Sequence, residues 1–405
     1  MKAGWKTEPL GDLCEFQRGL TYAKSDEVDV SDNVVLRATN IDLTTNLLDF
    51  AELKYINDKV VVPDSKKVKK GSLIICTASG SKSHLGKVAY IDDDFGYAFG
   101  GFMGMITPKN GLVPKYLFHL MTSDAYKDFI GELSDGANIN NLKFDDLKKF
   151  QVPHPKRDEQ KRIIGILDKA FESIATAKAN AEKNLQNTRA LFESYLQDIF
   201  TQRGPGWEEK PLGECVQDIS TGPFGSLLHK SDYERGGIPL VNPINIEGEE
   251  IIPNKNKAVG IETAKRLASY TLRENDIVIA RRGEIGRCAV ITRNQAGWIC
   301  GTGCFIIRSS EKTDPHFLTH LLRSKPYRAQ LEGVSERATM PSISNGDLQK
   351  LVIGLPTIPQ QRHILSLLDN LSTETQRLAI IYQSKLAALE ILKKSLLHQA
   401  FNGNL

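Results

Sequence analysis

The feature that most constrains this chain is an internal duplication, in which the second half repeats the first with a shift of about 201 residues. The opening segment Trp5–Asp12 returns as Trp207–Glu214, with tryptophan, proline, leucine and glycine at matching positions. Near the end of each copy, Gln160 matches Gln361. A shift that holds from end to end indicates two copies of one folding unit, and such a repeat decides how every other pattern is read.

Each copy ends in a long run with the period of a helix, Arg157–Phe200 in the first and Ile358–Phe401 in the second. About 44 residues at 1.5 Å each predict helices of roughly 65 Å. Apolar residues recur at alternating steps of three and four, which is typical of a heptad seam with gaps at Lys178 and Thr188. The first seam consists of Ile164, Leu167, Phe171, Ile174, Ala181, Leu185, Phe192, Tyr195 and Ile199, and the second of Leu365, Leu368, Ala379, Tyr382, Leu386, Leu389 and Leu396. Since each stripe needs a cover, the two helices are predicted to form an antiparallel coiled coil.

The segment before each long helix has the pattern of a mixed α/β (α+β) domain. Short β-branched runs such as Leu73–Ile75 and Ile277–Ala280 alternate with glycine-containing loops, and a helical pair follows at Pro114–Ile130 and again at Pro315–Leu331. The chain therefore divides into a domain at 1–155, a helix at 156–203, a second domain at 204–356 and a second helix at 357–405. The resulting plan has pseudo-twofold symmetry, which suits a ligand that is itself nearly twofold, such as DNA.

Composition limits the class of protein. With 52 Lys and Arg against 49 Asp and Glu, the net charge is only +3, so any contact with nucleic acid must come from local basic patches. The six cysteines form no CxxC pair, and Cys300 and Cys304 have no nearby ligands to complete a metal site, which favours reduced intracellular thiols. No apolar signal core or membrane-spanning run occurs, so a cytoplasmic location is expected.

Known catalytic signatures are incomplete in this sequence. The glycine-rich stretch from Gly80 to Lys87 is one residue too long for a phosphate-binding loop and lacks the hydroxyl residue that holds magnesium. Asn242-Pro243-Ile244-Asn245 resembles an amino-methyltransferase motif but lacks its second proline and its aromatic residue. The sequence therefore predicts that no active site, metal or cofactor belongs to this chain.

The polar and basic loops between the strands are the candidate binding surface. Arginine suits the paired acceptors of guanine and asparagine suits the edge of adenine, whereas lysine and serine more often hold phosphate. For any single loop residue, ordinary solvated surface is the better interpretation, because most surface charges have no specific role. The recurrence of these loops in both copies favours binding for the loops as sets, with Arg281, Arg282 and Arg287 as the strongest individual candidates. The predicted DNA-binding residues are Thr21, Tyr22, Ser79, Lys82, Ser83, His84, Lys87, Asn138, Asn140, Asn141, Phe224, Ser226, Lys230, Tyr233, Arg281, Arg282, Glu284, Arg287, Arg337 and Thr339.

Taken in order and in duplicate, these motifs resemble the specificity subunit of type I restriction–modification systems. The resemblance covers the whole chain and rests on the repeated W-x-x-x-P-L-G opening, the turn before an Ile/Val strand, and the Pro-x-x-x-x-Gln-x-x-Ile entry to each long helix. It implies two target recognition domains that read the halves of a split DNA sequence. It also implies helical spacers that set the distance between the halves and dock two methyltransferase subunits. Endonuclease–translocase subunits join such complexes, and S-adenosylmethionine, ATP and Mg are expected only in those partners.

The two recognition loops differ, with SGSKSHLGK at 79–87 against RRGEIGR at 281–287, so an asymmetric bipartite target is expected. Two other classes of function remain open for the sequence: a coiled-coil scaffold that binds only protein, and a self-sufficient DNA-modifying enzyme. Three apolar residues outside the seam, Leu371, Leu378 and Leu392, are predicted to serve the docking of other subunits.

Overall fold

The computed structural model describes residues 4–134, 141–254, 256–335 and 342–405, without the side chains of Lys82, Ser134, Ser226 and Ser335. The chain forms two compact units, the first from Met1–Glu182 with Gln383–Leu405 and the second from Lys183–Tyr382. Both long helices therefore contribute residues to both units. The four predicted segments describe the order along the chain, whereas each unit combines one globular domain with a piece of each long helix.

The first unit contains two four-stranded sheets. In the first sheet the strand order is β2-β9-β6-β7, with antiparallel neighbours. In the second the order is β3-β5-β4-β8, and β4 and β8 run parallel. A separate ladder joins β1 to β10. The strands are Lys6–Pro9 (β1), Cys14–Arg18 (β2), Glu27–Val28 (β3), Asn33–Leu36 (β4), Lys54–Ile56 (β5), Leu73–Cys76 (β6), Val88–Tyr90 (β7), Ala98–Phe99 (β8), Met103–Pro108 (β9) and Gln151–His154 (β10), and the helices are Leu10–Leu13 (α1), Pro114–Leu120 (α2), Asp124–Ser134 (α3), Phe144–Leu147 (α4) and Arg157–Gln202 (α5).

The second unit repeats this topology. Its sheets have the orders β12-β21-β18-β19 and β13-β17-β14-β20, with β14 parallel to β20, a ladder from β11 to β22, and an additional hairpin of β15 and β16. The strands are Glu208–Pro211 (β11), Val216–Thr221 (β12), Tyr233–Glu234 (β13), Ile238–Val241 (β14), Ile246–Glu247 (β15), Glu250–Ile251 (β16), Ala258–Val259 (β17), Asp276–Ala280 (β18), Cys288–Val290 (β19), Ile299–Cys300 (β20), Cys304–Ser309 (β21) and Val352–Leu355 (β22), and the helices are Leu212–Cys215 (α6), Ile261–Arg266 (α7), Pro315–Arg323 (α8), Lys325–Ser335 (α9), Asn345–Lys350 (α10) and Ile358–Asn402 (α11). The predicted duplication and mixed α/β class are thus confirmed.

The central strands read as unbroken apolar runs because they are buried on both faces. In β6, Leu73 and Ile75 enter one hydrophobic core while Ile74 and Cys76 enter another. Successive side chains of a strand point to opposite faces, so a sheet between two cores needs apolar residues at every position. The helices α2 and α3 cover the first face and the second sheet covers the other.

The repeated glutamine before each long helix fastens that helix to its domain. Gln160 is fully buried; its Oε1 accepts a hydrogen bond from the Val113 N–H (2.8 Å), and its Nε2 donates to the carbonyl of Gly111 (2.9 Å). Gln361 repeats this arrangement, accepting from the Asp314 N–H (2.8 Å) and donating to the Lys312 carbonyl (2.9 Å). Since all these groups are satisfied within the chain, the motif sets where and at what angle the helix begins.

Within each unit the two helix pieces run antiparallel. In the first unit, Lys178 pairs with Glu390, and Arg162 donates to the carbonyl of Leu405 (2.5 Å). In the second unit, Leu196 and Phe200 from α5 share a core with Leu368 from α11. The predicted helices end within two residues of the observed ones, Gln202 and Asn402.

The seam departs from the predicted one at a few positions. The gap at Lys178 is closed by its ion pair with Glu390, and Thr188 is buried, with its hydroxyl donating to the carbonyl of Asn184 (2.7 Å). Tyr195, predicted in the seam, is exposed, and the adjacent Leu196 is buried in its place. The tyrosine hydroxyl is better hydrated at the surface, whereas leucine has no polar atom to satisfy.

The six cysteines are all buried, and burial raises the pKa of the Cys14 thiol to about 12. Among the described residues, no group of three or more His, Cys, Asp or Glu side chains is arranged to hold a metal ion. In the same part of the chain, none of the helices combines the length and the hydropathy that crossing a membrane requires.

Candidate nucleic-acid interface

In each unit the structure joins two loops that are far apart in the sequence. In the first unit, Ala78 forms an isolated β-bridge with Asn141, next to a hydrogen bond from the Leu142 N–H to the Thr77 carbonyl (2.6 Å). The 79–87 loop, which follows β6, therefore begins beside the segment that leads into α4. Asn138 and Asn140, which precede Asn141, lie outside the described residues.

The second unit makes the same connection. Arg282 forms a β-bridge with Ser342, and the Ile343 N–H donates to the Arg281 carbonyl (3.1 Å). Arg337 and Thr339, which precede Ser342, lie outside the described residues. The same backbone framework thus brings together, in both units, loops that carry different side chains.

A cleft of about 550 Å³ lies beside the first of these loop pairs. It opens at the carboxyl ends of the parallel strands β4 and β8, and its walls include Thr21, Tyr22 and Ala78. The chain enters the cleft through a close approach in which a Cβ on Gly19 would stand 1.9 Å from the carbonyl oxygen of Gly100. Only glycine fits there, and the equivalent glycine of the second unit makes the same approach.

Several of the predicted residues are available to a ligand, whereas others are partly covered. The exposed ones are Thr21, Ser83, Asn141, Phe224, Lys230, Arg282 and Glu284, and the half-buried ones are Tyr22, Ser79, His84, Tyr233, Arg281 and Arg287. Phe224 belongs to the first group, and as an aromatic side chain that is 59% exposed it is available for stacking or apolar contact with a ligand. The side chains of Lys82 and Ser226 lie outside the description.

Lys87 and Arg287 act as internal supports. Lys87 is buried and its Nζ donates to the carbonyl of Ile41 (2.7 Å), so burial lowers the pKa of this amine. Arg287 donates to the equivalent carbonyl of Ile246 (3.2 Å) and pairs with Glu284. The recurrence of a basic residue after a glycine, which pointed to binding in the sequence, therefore has a structural cause in both units.

Arg281 packs over the sheet β12-β21-β18-β19 of the second unit. Its guanidinium is 5.3 Å from the ring centre of Phe305, and its backbone N–H donates to the Gly303 carbonyl (2.9 Å). Its Nε is buried and has no hydrogen-bond partner among the described residues. Burial, together with the neighbouring charge of Arg282, lowers the pKa of Arg281. This arginine pair forms the basic part of the second loop.

The two tyrosines among the predicted DNA-binding residues are half-buried and pack against the fold. Tyr22 packs against the small core under the second sheet of the first unit, and Tyr233 does so in the second unit. Burial raises the pKa of both phenols. In the 79–87 loop, burial and then the charge of Lys87 lower the pKa of His84, which favours its neutral form near pH 7.

The sequence did not single out Arg37, Thr39 or Phe102, which also line the cleft. Phe102 is 73% exposed, and Arg37 directly follows β4, within the run that the sequence suggests as a strand. In the sequence, the only indication of such a site is that an apolar run ends near these residues. The pairing of β4 with β8 is what places them in one cleft. At the position equivalent to Arg37, the second unit has Asn242, so the same backbone site presents a different side chain.

Comparison with known proteins defines the class to which this fold belongs. A family profile described as the type I restriction modification DNA specificity domain matches twice, at residues 2–186 and 205–383. The two matches cover most of the chain and coincide with the two copies of the fold. The chain belongs to this family.

Individual relatives are similar over nearly the whole length. The chain is 26% identical to the StySPI specificity subunit of Salmonella potsdam and 24% identical to the EcoKI specificity subunit of Escherichia coli K12, in each case over 99% of this chain and 89% of the relative. In fold, it resembles the HsdS subunit from Thermoanaerobacter tengcongensis with a TM-score of 0.70 at 21% identity, covering 100% of this chain and 98% of the other. A chain from a structural study of complex assembly and conformational transition in the type I R-M system gives a TM-score of 0.75 at 21% identity, covering 100% of this chain and 99% of the other.

Proposed function

We propose that this chain is the DNA-reading, non-catalytic specificity subunit of a type I restriction–modification complex. Each unit reads one half of a bipartite target. The observation that carries this proposal is the repetition of one loop framework with different side chains, since two readers of different half-targets require a shared framework whose contacting side chains differ. An asymmetric target follows from this difference.

The chemistry of the loops fits contact with DNA. Exposed Lys230 and Arg282 offer charge for phosphates, while amide and guanidinium groups such as those of Asn141 and Arg281 match the edges of bases. With a net charge of only +3, binding depends on these local groups and on how they are placed.

The two long helices set the separation of the half-targets and dock the partner subunits. The chain passes between the two units only within α5 and α11. Of the three leucines predicted for docking on α11, Leu378 and Leu392 are exposed and Leu371 is half-buried; Ile380 and Ile391 on the same helix are exposed as well. Such a series of apolar side chains on one helix favours contact with other proteins.

The partners are two methyltransferase subunits and the restriction endonuclease–translocase subunits. S-adenosylmethionine, ATP and magnesium bind in those partners, where methyl transfer and cleavage occur. Methylation then takes place only where this chain holds the partner beside its target base.

Mapping the methylated sequence of the reconstituted complex tests the proposal. We expect two short tracts of specified bases separated by an unread gap, and replacement of residues 1–155 by those of another family member should change only one tract. The purified chain alone, incubated with DNA and labelled S-adenosylmethionine, serves as the control and should transfer no methyl group. A single continuous tract, or methylation by the chain alone, would contradict the proposal.

A further inference from the structure

We propose that Arg37 is a specificity-determining residue of the first unit and that its guanidinium reads a guanine of the first half-target. This inference rests on the proposed function. It assigns one base of the first half-target to one residue, Arg37, at the end of β4.

Arg37 occupies the position where a ligand would meet the fold. It directly follows β4, at the edge where β4 and the parallel strand β8 both end. The cleft there also holds Thr21, Thr39 and Ala78, and Ala78 is the residue that joins the 79–87 loop to Asn141. Arg37 is therefore adjacent to both of the loops that the structure brings together.

One nitrogen of the Arg37 guanidinium, Nε, has no hydrogen-bond partner among the described residues. This Nε–H is buried and donates to no acceptor among the described residues. The nearby carboxylate of Glu27 lies 2.5 Å from Lys54 Nζ; the hydrogen bond with Lys54 and, less strongly, the charge of Arg37 lower the pKa of Glu27. Glu27 therefore attracts Arg37 but hydrogen-bonds to Lys54, and it leaves the Arg37 Nε without an acceptor. A buried donor with no acceptor is costly, so the arrangement favours a ligand that supplies acceptors.

The backbone that carries Arg37 is held rigidly. Its N–H donates to Oδ1 of Asn40 (2.8 Å), and Asn40 is 1% exposed. The Asn40 Nδ2 in turn donates to the carbonyls of Asp49 and Glu52, both at 2.9 Å. A long side chain that extends from a rigid backbone loses less conformational entropy on binding, and this helps it to discriminate between nucleobases.

The chemistry of the site points to guanine. The guanidinium presents parallel N–H donors that match O6 and N7 of guanine in the major groove, whereas no other base offers two acceptors there. At the rim of the same cleft, exposed Phe102 supplies an apolar surface of the kind that contacts a thymine methyl group. A phosphate contact would instead suit an arginine on the open surface, free of the cleft.

The test compares the full chain with Arg37→Gln and Arg37→Lys variants, each reconstituted with the methyltransferase subunits of its own system. Target libraries randomised in both half-sites are methylated and sequenced. We expect Arg37→Gln to lose discrimination at one guanine of the first half-site by about tenfold to 100-fold, with the second half-site unchanged. Arg37→Lys keeps the charge but not the paired donors, so it should not restore that preference.

Arg157→Gln is the matched control. Arg157 is an exposed arginine of the same unit at the start of α5, and its replacement by glutamine removes the same charge. It should leave the preferences at both half-sites intact. A uniform loss of methylation by Arg37→Gln, with base preferences kept and a weaker dependence on salt, would identify a phosphate contact and overturn the inference. So would unchanged preferences in both Arg37 variants.

The wild-type complex separates this inference from the function on which it rests. If it shows no bipartite target, the proposed function fails and the role of Arg37 fails with it. If it reads a bipartite target while the Arg37 variants read the same one, only the inference is wrong. The unchanged second half-site and a thermal unfolding curve like that of the wild type exclude misfolding as the cause.

Discussion

Lys87 and Arg287 show at the scale of single residues how a repeated basic position can serve the fold. Each follows a glycine in the left-handed region, at a φ of 75° for Gly86 and 82° for Gly286, and each donates to the equivalent isoleucine carbonyl. The repeated basic residue, which the sequence suggested as functional, thus stabilises the fold in both units. The residues that differ between the copies, such as Arg37 and Asn242, carry the proposed specificity.

Replacing Lys87 by alanine should destabilise the first unit without changing what it reads. The Ile41 carbonyl would lose its donor in the interior, which corresponds to about 1–3 kcal/mol. Thermal unfolding of the full chain measures the loss, and methylation mapping of the reconstituted complex should give an unchanged target. Lys87→Arg, which copies the second unit, serves as the control and should retain more stability. An altered first half-site in Lys87→Ala at normal stability would show that Lys87 contacts DNA.

A group of three side chains makes the stability of the first unit depend on pH. Asp168 on α5 accepts from His119 Nε2 (2.8 Å) and from Lys115 Nζ (3.1 Å), and these contacts, His119 first, lower the pKa of Asp168 below its usual 3.8. A lowered carboxyl pKa adds stability above the pKa of the unfolded chain and loses it as the pH falls through the folded value.

We therefore expect Asp168→Asn to reduce stability at pH 7 by about 1 kcal/mol, a modest value because the carboxylate is partly exposed and screened by solvent. The difference from the wild type should shrink only at pH values below 3.8, as measured by unfolding at a series of pH values. Asp369→Asn is the matched control at the equivalent position, since Asp369 makes no side-chain hydrogen bond within the described residues. Equal losses in the two variants would contradict the prediction.

At the scale of elements, the end of each long helix completes a domain core. Phe401 contacts Tyr116 edge-on, with 5.2 Å between ring centres, and Phe200 contacts Phe317 at 5.6 Å in the second unit. The last part of α11 is thus as much a part of the first unit as its own sheets. Each long helix therefore carries a phenylalanine near its end, Phe200 in α5 and Phe401 in α11, because that end packs into a domain core.

Phe401→Ala should destabilise the first unit by about 3–5 kcal/mol, because it leaves a cavity in a packed core. Leu392→Ala on the same helix removes an exposed side chain and should change the stability of the isolated chain by at most about 0.5 kcal/mol. Chemical denaturation followed by limited proteolysis would measure the loss and locate it. If both variants lose the same stability, α11 does not complete the core as described.

The elements also show which patterns a sequence reveals. The long helices were predicted to within two residues because their heptad seam extends over many turns. The strands β3, β5 and β8 escaped prediction because each has only two or three residues. Strands this short are stabilised by their partners in the sheet and carry no periodic signal of their own.

At the scale of the whole molecule, the helices are the only covalent links between the units, which leads to a prediction about spacing. Inserting seven residues with a matching heptad after Glu182 and seven more after Tyr382 adds two turns to each helix and preserves the seam. At 1.5 Å per residue the insertion adds about 10 Å, or about three base pairs. Methylation mapping should show the unread gap longer by that amount, with both half-sites unchanged. The same seven residues inserted in an exposed loop should leave the gap unaltered, and an unchanged gap in the helix variant would exclude the helices as spacers.

The amino-acid sequence by itself determined the duplication, the mixed α/β class, the two long helices and the loops that differ between the copies. These features depend on periodicity and on the order of residue types, which are local properties of the chain. Only the tertiary structure decided which loop residues face outward, because burial depends on contacts between distant segments. It placed Lys87 inside and brought Arg37 and Phe102 to one cleft, since the pairing of β4 with β8 is a contact across 62 residues that no local pattern encodes.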